Sequence, residues 1–247
     1  MSDDIILEVE NLHAWYGRKH VLEGINLTVE AGSIMVVLGT SGCGKSTLLK
    51  NIIRLYTPGK GSINLLGNEM TELEEEDVET VLRQVGVMYQ NGALLNSLTV
   101  GENVALPLEI HTDMSPKLRR EIAETKLRQV ELLDVYDRYP RELSGGMQKR
   151  VAVARAIVMD PDIIFCDEPS AGLDPVTAQG LDRLLISLNE TLGMTIVVVT
   201  HELESIKRIA HYITYLDNGK VLFTGTIEEA FQADIPQIQE FFLRDNV

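Results

Sequence analysis

Two stretches near the start of the chain, "LEVENLHAWYG" and "LEGINLTVEAG", alternate apolar and polar residues, and Ile25, Leu27 and Val29 fall on one face. That period predicts half-buried, antiparallel strands. Ile34 to Leu38 is then apolar without interruption, and a glycine-rich loop and a helix from about Lys45 follow. The same continuous apolar character returns in "DIIFCDE" (Asp162 to Glu168) and "MTIVVVTHE" (Met194 to Glu202). Such strands alternating with helices predict a mostly parallel sheet covered on both faces. Residues 92–156, between these halves, carry helical periodicity and no strong strand. Ser115-Pro116 supplies a helix cap with proline at the first helical position, and Ala123, Leu127 and Val130 recur at i, i+4 and i+7. Residues 92–156 are expected to form a helical subdomain inserted into one α/β domain spanning 1–247. Thr226 and Glu229 predict a capping box for a last helix.

Charge narrows the classes of partner. A formal charge of −15 and a pI near 4.7 argue against a nucleic-acid-coating surface, which would be basic. Part of the acidity is the run Glu72 to Glu79, which reads as a solvated helix face. Two cysteines, Cys43 and Cys166, are too few for a disulfide scaffold and suit a reducing cytosol. The acidic opening "MSDDIILEVE" does not resemble a secretory signal. No run approaches the roughly 18 apolar residues needed to span a bilayer, so a membrane role would be peripheral.

The candidate chemistry starts at "GTSGCGKST". Gly39 to Ser46 has the form G-x-x-x-x-G-K-[ST] between a buried strand and a helix. There the loop's N–H groups can converge on phosphate oxygens at a helix N-terminus. Gly39, Thr40, Ser41, Gly42, Cys43, Gly44, Lys45, Ser46 and Thr47 are the expected cradle. Lys45 would neutralise the β- and γ-phosphates, and the Ser46 hydroxyl would ligate Mg²⁺. "IIFCDEP" ends a second strand in two acids: Asp167 to hold Mg²⁺ and Glu168 to activate water. A strand-terminal acid pair can equally be solvated surface.

With Gln90, Leu143 to Met147 ("LSGGM"), Ser170 to Asp174 ("SAGLD") and His201 following one another along the chain, it resembles the ATPase subunits of ATP-binding cassette (ABC) transporters, essentially end to end. The resemblance implies the ABC ATPase fold: an α/β P-loop NTPase with an N-terminal antiparallel β subdomain and an inserted helical subdomain. It implies ATP and Mg²⁺ as cofactors. Gln90 would be a Mg²⁺ contact that also senses a transmembrane partner, and His201 a γ-phosphate contact. Tyr16 would stack on adenine, with adjacent Trp15 as the other candidate. It further implies a head-to-tail homodimer, in which Ser144, Gly145 and Gly146 close on the ATP held by the partner subunit. Taken alone, "LSGGM" could be a plain helix cap, and the two cysteines plain buried thiols or a redox switch.

Three details resemble the subgroup that moves lipids with MCE-type proteins, the Mla (maintenance of lipid asymmetry) systems of Gram-negative bacteria. They are "QNGALLNSLTVGENVALPL", methionine after the signature glycines in "LSGGMQKRVAVARAI", and "DEPSAGLDPVTA". This resemblance implies phospholipid transport from the cytoplasmic side of the inner membrane, with a permease, an MCE-type subunit and a small cytoplasmic accessory subunit. The alternatives are the ATPase of a small-solute importer, such as one for amino acids, and a soluble ABC ATPase. Gly92 to Leu98 would help accept a permease helix, although Ala93, Leu94 and Leu95 could equally be interior packing. The longer C-terminal extensions of some members are not matched, which puts in doubt contacts made through such a tail.

Overall fold

The computed structural model describes residues 5–90 and 92–243; the opening Met1 to Asp4 and Asn91 of the glutamine loop lie outside them. The alternating stretches form β1 (Ile5–Tyr16) and β2 (Lys19–Glu30), paired antiparallel. With β4 (Lys60–Leu65) and the short β5 (Asn68–Glu69) they make a four-stranded sheet in the order β2-β1-β4-β5. Ile25, Leu27 and Val29 are all buried on its inner face.

The continuous apolar runs are β3 (Ile34–Gly39), β7 (Ile163–Asp167) and β8 (Thr195–Val199). Together with β6 (Val85–Met88), β9 (Tyr212–Asp217) and β10 (Lys220–Thr226) they form a second sheet, ordered β10-β9-β3-β8-β7-β6. All its pairings are parallel except that of β9 with β10. That pair turns at Asn218-Gly219, where both residues have positive φ, as a tight hairpin turn requires.

Side chains of the parallel strands go alternately to two cores. Ile34, Val36 and Leu38 join Ile164, Cys166, Ile196 and Val198 on the face covered by most of the helices. Met35 and Val37 join Ile163, Phe165, Val197 and Val199 on the face toward the antiparallel sheet. Burial on both faces explains why these strands are unbroken apolar runs rather than alternating ones.

Between β6 and β7 lie α3 (Val100–His111), α4 (Pro116–Gln129) and α5 (Gly145–Ala156), after α1 (Lys45–Ile52) and α2 (Glu75–Leu82) earlier in the chain. Ser115 caps α4 with Pro116 in its first turn, and Ala123, Leu127 and Val130 are buried. Glu72 and Glu74 to Asp77 are exposed along α2 and its approach, as the acidic run predicts. The later helices are α6 (Pro175–Leu192), α7 (Leu203–Ile209), α8 (Ile227–Gln232) and α9 (Pro236–Leu243). The Thr226/Glu229 capping box opens α8.

Asn103 in α3 fixes the loop ahead of that helix. Fully buried, its side chain accepts a hydrogen bond from Leu95 N (2.7 Å) and donates to the carbonyls of Leu95 (3.0 Å), Leu98 (3.2 Å) and Thr99 (2.9 Å). Asn103→Ala would leave the Leu95 N–H and the Leu98 carbonyl unpaired, while the Leu95 and Thr99 carbonyls keep backbone donors, at a cost of about 2 kcal/mol. A fall of roughly 5 °C in the melting midpoint is expected, with faster amide exchange confined to residues 95–99. A midpoint unchanged to within a degree would contradict this account of the loop.

Candidate functional site

Gly39 ends β3 at φ 148°, and a Cβ placed there would lie 2.0 Å from the Leu216 carbonyl oxygen of β9. Only glycine lets the chain leave the sheet at that point. Gly44, at φ 118°, delivers the loop into α1, and a Cβ on it would meet the Leu22 side chain at 2.7 Å. Gly219 N donates to the Cys43 carbonyl (3.0 Å) and Glu23 N donates to the Gly219 carbonyl (2.7 Å). The β9–β10 hairpin thus braces the loop against β2.

The loop lines a cleft of about 630 Å³, together with Val21, Gln90, Glu168, His201, Leu203 and Phe241. Lys45 is buried, and its ammonium donates to the carbonyls of Gly39 (2.9 Å) and Thr40 (3.2 Å). The ammonium is therefore held inside the curl of the loop, where it can meet phosphate oxygens. Ser46 Oγ donates to Asp167 Oδ1 at 3.4 Å. These are two hard oxygens at the mouth of α1, a set that suits Mg²⁺ brought in with phosphates. Among the described residues no cluster of three or more His, Cys, Asp or Glu is arranged to hold a metal unaided.

Glu168 follows Asp167 with φ 48°, a left-handed conformation uncommon outside glycine. Its N–H donates to the Val199 carbonyl (2.8 Å), and its carboxylate lies 2.8 Å from His201 Nδ1 and accepts from the Thr200 hydroxyl (3.3 Å). The carboxylate is thus aimed into the cleft from the end of β7 and held there by residues following β8. Burial, and next the charge of Glu168, push the Asp167 carboxyl above its ordinary range; Ser46, Lys50 and Lys45 oppose the shift. Two adjacent acids offset mainly by Lys50 and Lys45 of α1 make a site whose electrostatics improve when a divalent cation arrives.

Other expected site residues are spread more widely. Ser144 caps α5, its Oγ accepting from Met147 N (3.3 Å), and Ser144 and Gly145 are exposed. None of Ser144, Gly145 and Gly146 lines the phosphate-loop cleft. Ser144 and Gly146 face a different depression with Met147, Arg150 and Thr177. Tyr16 ends β1 at 73% exposure and also lies outside the cleft lining. Trp15 is committed elsewhere: its ring stacks on His20 (centroids 4.3 Å, planes 3° apart) and covers Gly59, where a Cβ would sit 2.2 Å from it. Cys43 and Cys166 are both buried in the reduced form, in separate cores. Burial raises the Cys43 thiol despite Lys45 nearby, and pushes Cys166 up to about 12. Ala93 and Leu95 are exposed, whereas Leu94 packs on the core.

Sequence reasoning missed Thr200, Leu203 and Phe241. Phe241 is a residue of α9, more than two hundred positions from Gly39, and nothing local marks it. Lys149 and Arg155 of α5 were also missed as supports of the glutamine loop; their basic character inside a mostly apolar helix was the available signal.

Residues 22–171 match the ABC transporter family. The chain belongs to that family. It is 40% identical over 223 residues to the methionine import ATP-binding protein MetN of Haemophilus influenzae (strain ATCC 51907 / DSM 11121 / KW20 / Rd), covering 90% of this chain and 64% of that protein. Against MetN of Escherichia coli O157:H7 it is 38% identical over 226 residues, covering 92% of this chain and 66% of the relative. The cassette therefore spans just under two thirds of the length of these relatives. Among solved structures, the ATP-binding cassette MJ0796, in a dimeric post-hydrolysis state bound to ADP and Pi, superposes with TM-score 0.82 and 33% identity, covering 90% of this chain and 98% of that one. The cbiO1 structure from Clostridium perfringens, part of the ABC transporter complex cbiONQ, gives TM-score 0.85 and 28% identity, covering 99% and 97%. The fold is thus the ABC ATPase fold. ATP with Mg²⁺ is what such cassettes bind, and ATP hydrolysis is their chemistry.

The raised Asp167 carboxyl has a consequence for stability. A carboxyl that holds its proton more tightly in the folded state stabilises the fold in acid, and that contribution is lost as pH rises through its folded pKa. Ionised Asp167 is therefore a cost to the nucleotide-free protein at neutral pH. Asp167→Asn should raise the nucleotide-free melting midpoint at pH 7, by an amount that shrinks toward acid. The same variant should lose the extra stabilisation that Mg²⁺ adds to ATP. Calorimetry with ATP, with and without Mg²⁺, checks both arms, and a lower nucleotide-free midpoint would count against the electrostatic account.

Proposed function

We propose that this cassette works as one half of a head-to-tail dimer that clamps and hydrolyses two ATP molecules and so drives a membrane-embedded permease. The observation carrying this reading is the incompleteness of each cleft. Lys45, Ser46, Glu168 and His201 line the cleft, with Asp167 behind Ser46, while the helix start at Ser144 faces elsewhere and is exposed. An exposed helix N-terminus with a serine cap and two glycines is suited to a γ-phosphate held by a second copy. In this reading Lys45 and the loop amides hold the β- and γ-phosphates, and Ser46, Asp167 and Gln90 hold Mg²⁺. Glu168 accepts a proton from the attacking water, and His201 orients that carboxylate and meets the γ-phosphate. Tyr16, with Trp15 engaged by His20, supplies the adenine-stacking ring. Charge stabilisation of the transferring phosphoryl group carries most of the rate.

No helix among the described residues is long and apolar enough to cross a membrane, so a transport role needs a separate permease. Exposed Ala93 and Leu95, in the loop tied down by Asn103, form the contact surface proposed for it. The expected lipid cargo and MCE-type partner draw no support from the relatives, whose names are those of methionine importers. An amino-acid importer, with a permease and a solute-binding protein, is therefore the favoured reading. The phosphate and signature residues act on ATP alone, so they are compatible with different cargoes. Methionine after the signature glycines and "SAGLD" do not separate those cargoes.

Glu168→Gln should lower turnover by about 10²–10⁴-fold yet still form a dimer in gel filtration when Mg²⁺ and ATP are present. Adding Ser144→Arg to that variant should abolish the dimer while each subunit still binds ATP. Full turnover in Glu168→Gln, or a dimer indifferent to Ser144→Arg, would overturn the mechanism. Cargo is decided separately: copurification with a permease, and stimulation by an amino-acid-loaded binding protein, supports import. An MCE protein in the same complex would restore the lipid reading.

A further inference from the structure

Helix α5 does more than present Ser144. The glutamine loop lies along it, held at three successive positions. The Lys149 ammonium donates to the Gln90 carbonyl in a very close contact. A Cβ on Gly92 would rest 3.5 Å from Ala152 Cβ, and the Arg155 guanidinium donates to the carbonyls of Gly92 (2.7 Å) and Ala93 (2.8 Å). Lys149 also reaches the Glu168 carbonyl at 3.4 Å. Its side chain is buried, and its hydrogen bonds go to these two backbone oxygens rather than to a carboxylate. Burial lowers the Lys149 pKa, opposed by the charges of Glu168 and Asp167.

For stability alone, a buried ammonium without a direct carboxylate partner is a poor choice, and an apolar side chain of similar length would cost less. What Lys149 does hold is the peptide of a left-handed, non-glycine residue. Glu168 has φ 48°, a conformation that persists only when its surroundings over-determine it. Its N–H is tied to Val199, and its carbonyl accepts from the Ala171 N–H (3.3 Å) and from Lys149. The same ammonium grips the loop that carries Gln90.

We propose that Lys149 is a positioning residue that fixes the Glu168 peptide and the Gln90 loop to α5, so that a shift of α5 reaches the attack geometry. Given the dimer proposed above, α5 of one subunit touches the ATP of the other while its Lys149 sets the glutamate of its own site. The two sites are thereby coupled through one rigid helix. This inference rests on the reading of Glu168 as the residue that activates water.

The test compares Lys149→Met and Lys149→Arg in the full chain by steady-state ATP hydrolysis. Lys149→Met should lower kcat by about ten- to a hundredfold, the size of loss a small misplacement of a reacting group causes. The KM for ATP should stay within about twofold, since the phosphate loop, which supplies most of the ground-state binding, is untouched. The Hill coefficient for ATP should fall toward one, the melting midpoint should change little because the desolvated charge is removed together with its two hydrogen bonds, and Lys149→Arg should recover most of kcat. In a Glu168→Gln background, Lys149→Met should leave the ATP-dependent dimer intact. Unchanged kcat and Hill coefficient in Lys149→Met, with Glu168→Gln inactive, would sink this inference alone. A lowered midpoint with no recovery in Lys149→Arg would also sink it, in favour of a purely structural role. Full activity in Glu168→Gln would instead remove the reading on which it stands.

Discussion

Backbone amides can grip a triphosphate only if the chain curls tightly between a buried strand and a helix, and here that curl depends on one close approach. Gly39 passes so near the Leu216 carbonyl of the neighbouring strand that no side chain fits between them. The hairpin through Asn218 and Gly219 then braces the loop from behind and connects it to β2. The Lys45 ammonium, turned onto the carbonyls of Gly39 and Thr40, closes the curl from within. The first two of these contacts join the loop to β9, the β9–β10 turn and β2, so the phosphate cradle depends on the sheet as well as on the loop.

The acids at the end of β7 follow the opposite logic. Asp167 and Glu168 are adjacent, largely buried and mutually repulsive, and one of them has a left-handed backbone. A sequence selected for stability would avoid all three features. They are tolerated because Val199, Thr200, His201 and Lys149 hold the segment from several sides. Strain and like charge concentrated at one strand end are expected where a cation and a reacting phosphate supply the missing compensation.

Much of this was legible from local pattern. Unbroken apolar runs at Ile34, Ile163 and Thr195 marked the doubly covered strands because both faces of that sheet are buried. The alternation around Ile25 marked the antiparallel sheet. The caps at Ser115 and Thr226 were readable because capping is a short-range hydrogen-bond pattern. Strands β4, β5, β6, β9 and β10 were not read: they are short or mixed in pattern and lack the continuous apolar run that marked β3, β7 and β8, and the Asn218-Gly219 hairpin signal was passed over.

The amino-acid sequence by itself determined the chemistry on offer: a phosphate loop, an acid pair, a glutamine, a histidine and a serine-glycine helix start. Those signals are local because backbone curl, capping and strand termination each need only a few neighbouring residues. Tertiary structure alone decided that Trp15 is occupied by His20 and Gly59, that Phe241 reaches the cleft, and that Lys149 bridges Gln90 and Glu168. It also separated Ser144 from the cleft of its own subunit. Which side chains meet across tens or hundreds of residues follows from how sheets and helices pack, and no period along the chain encodes that.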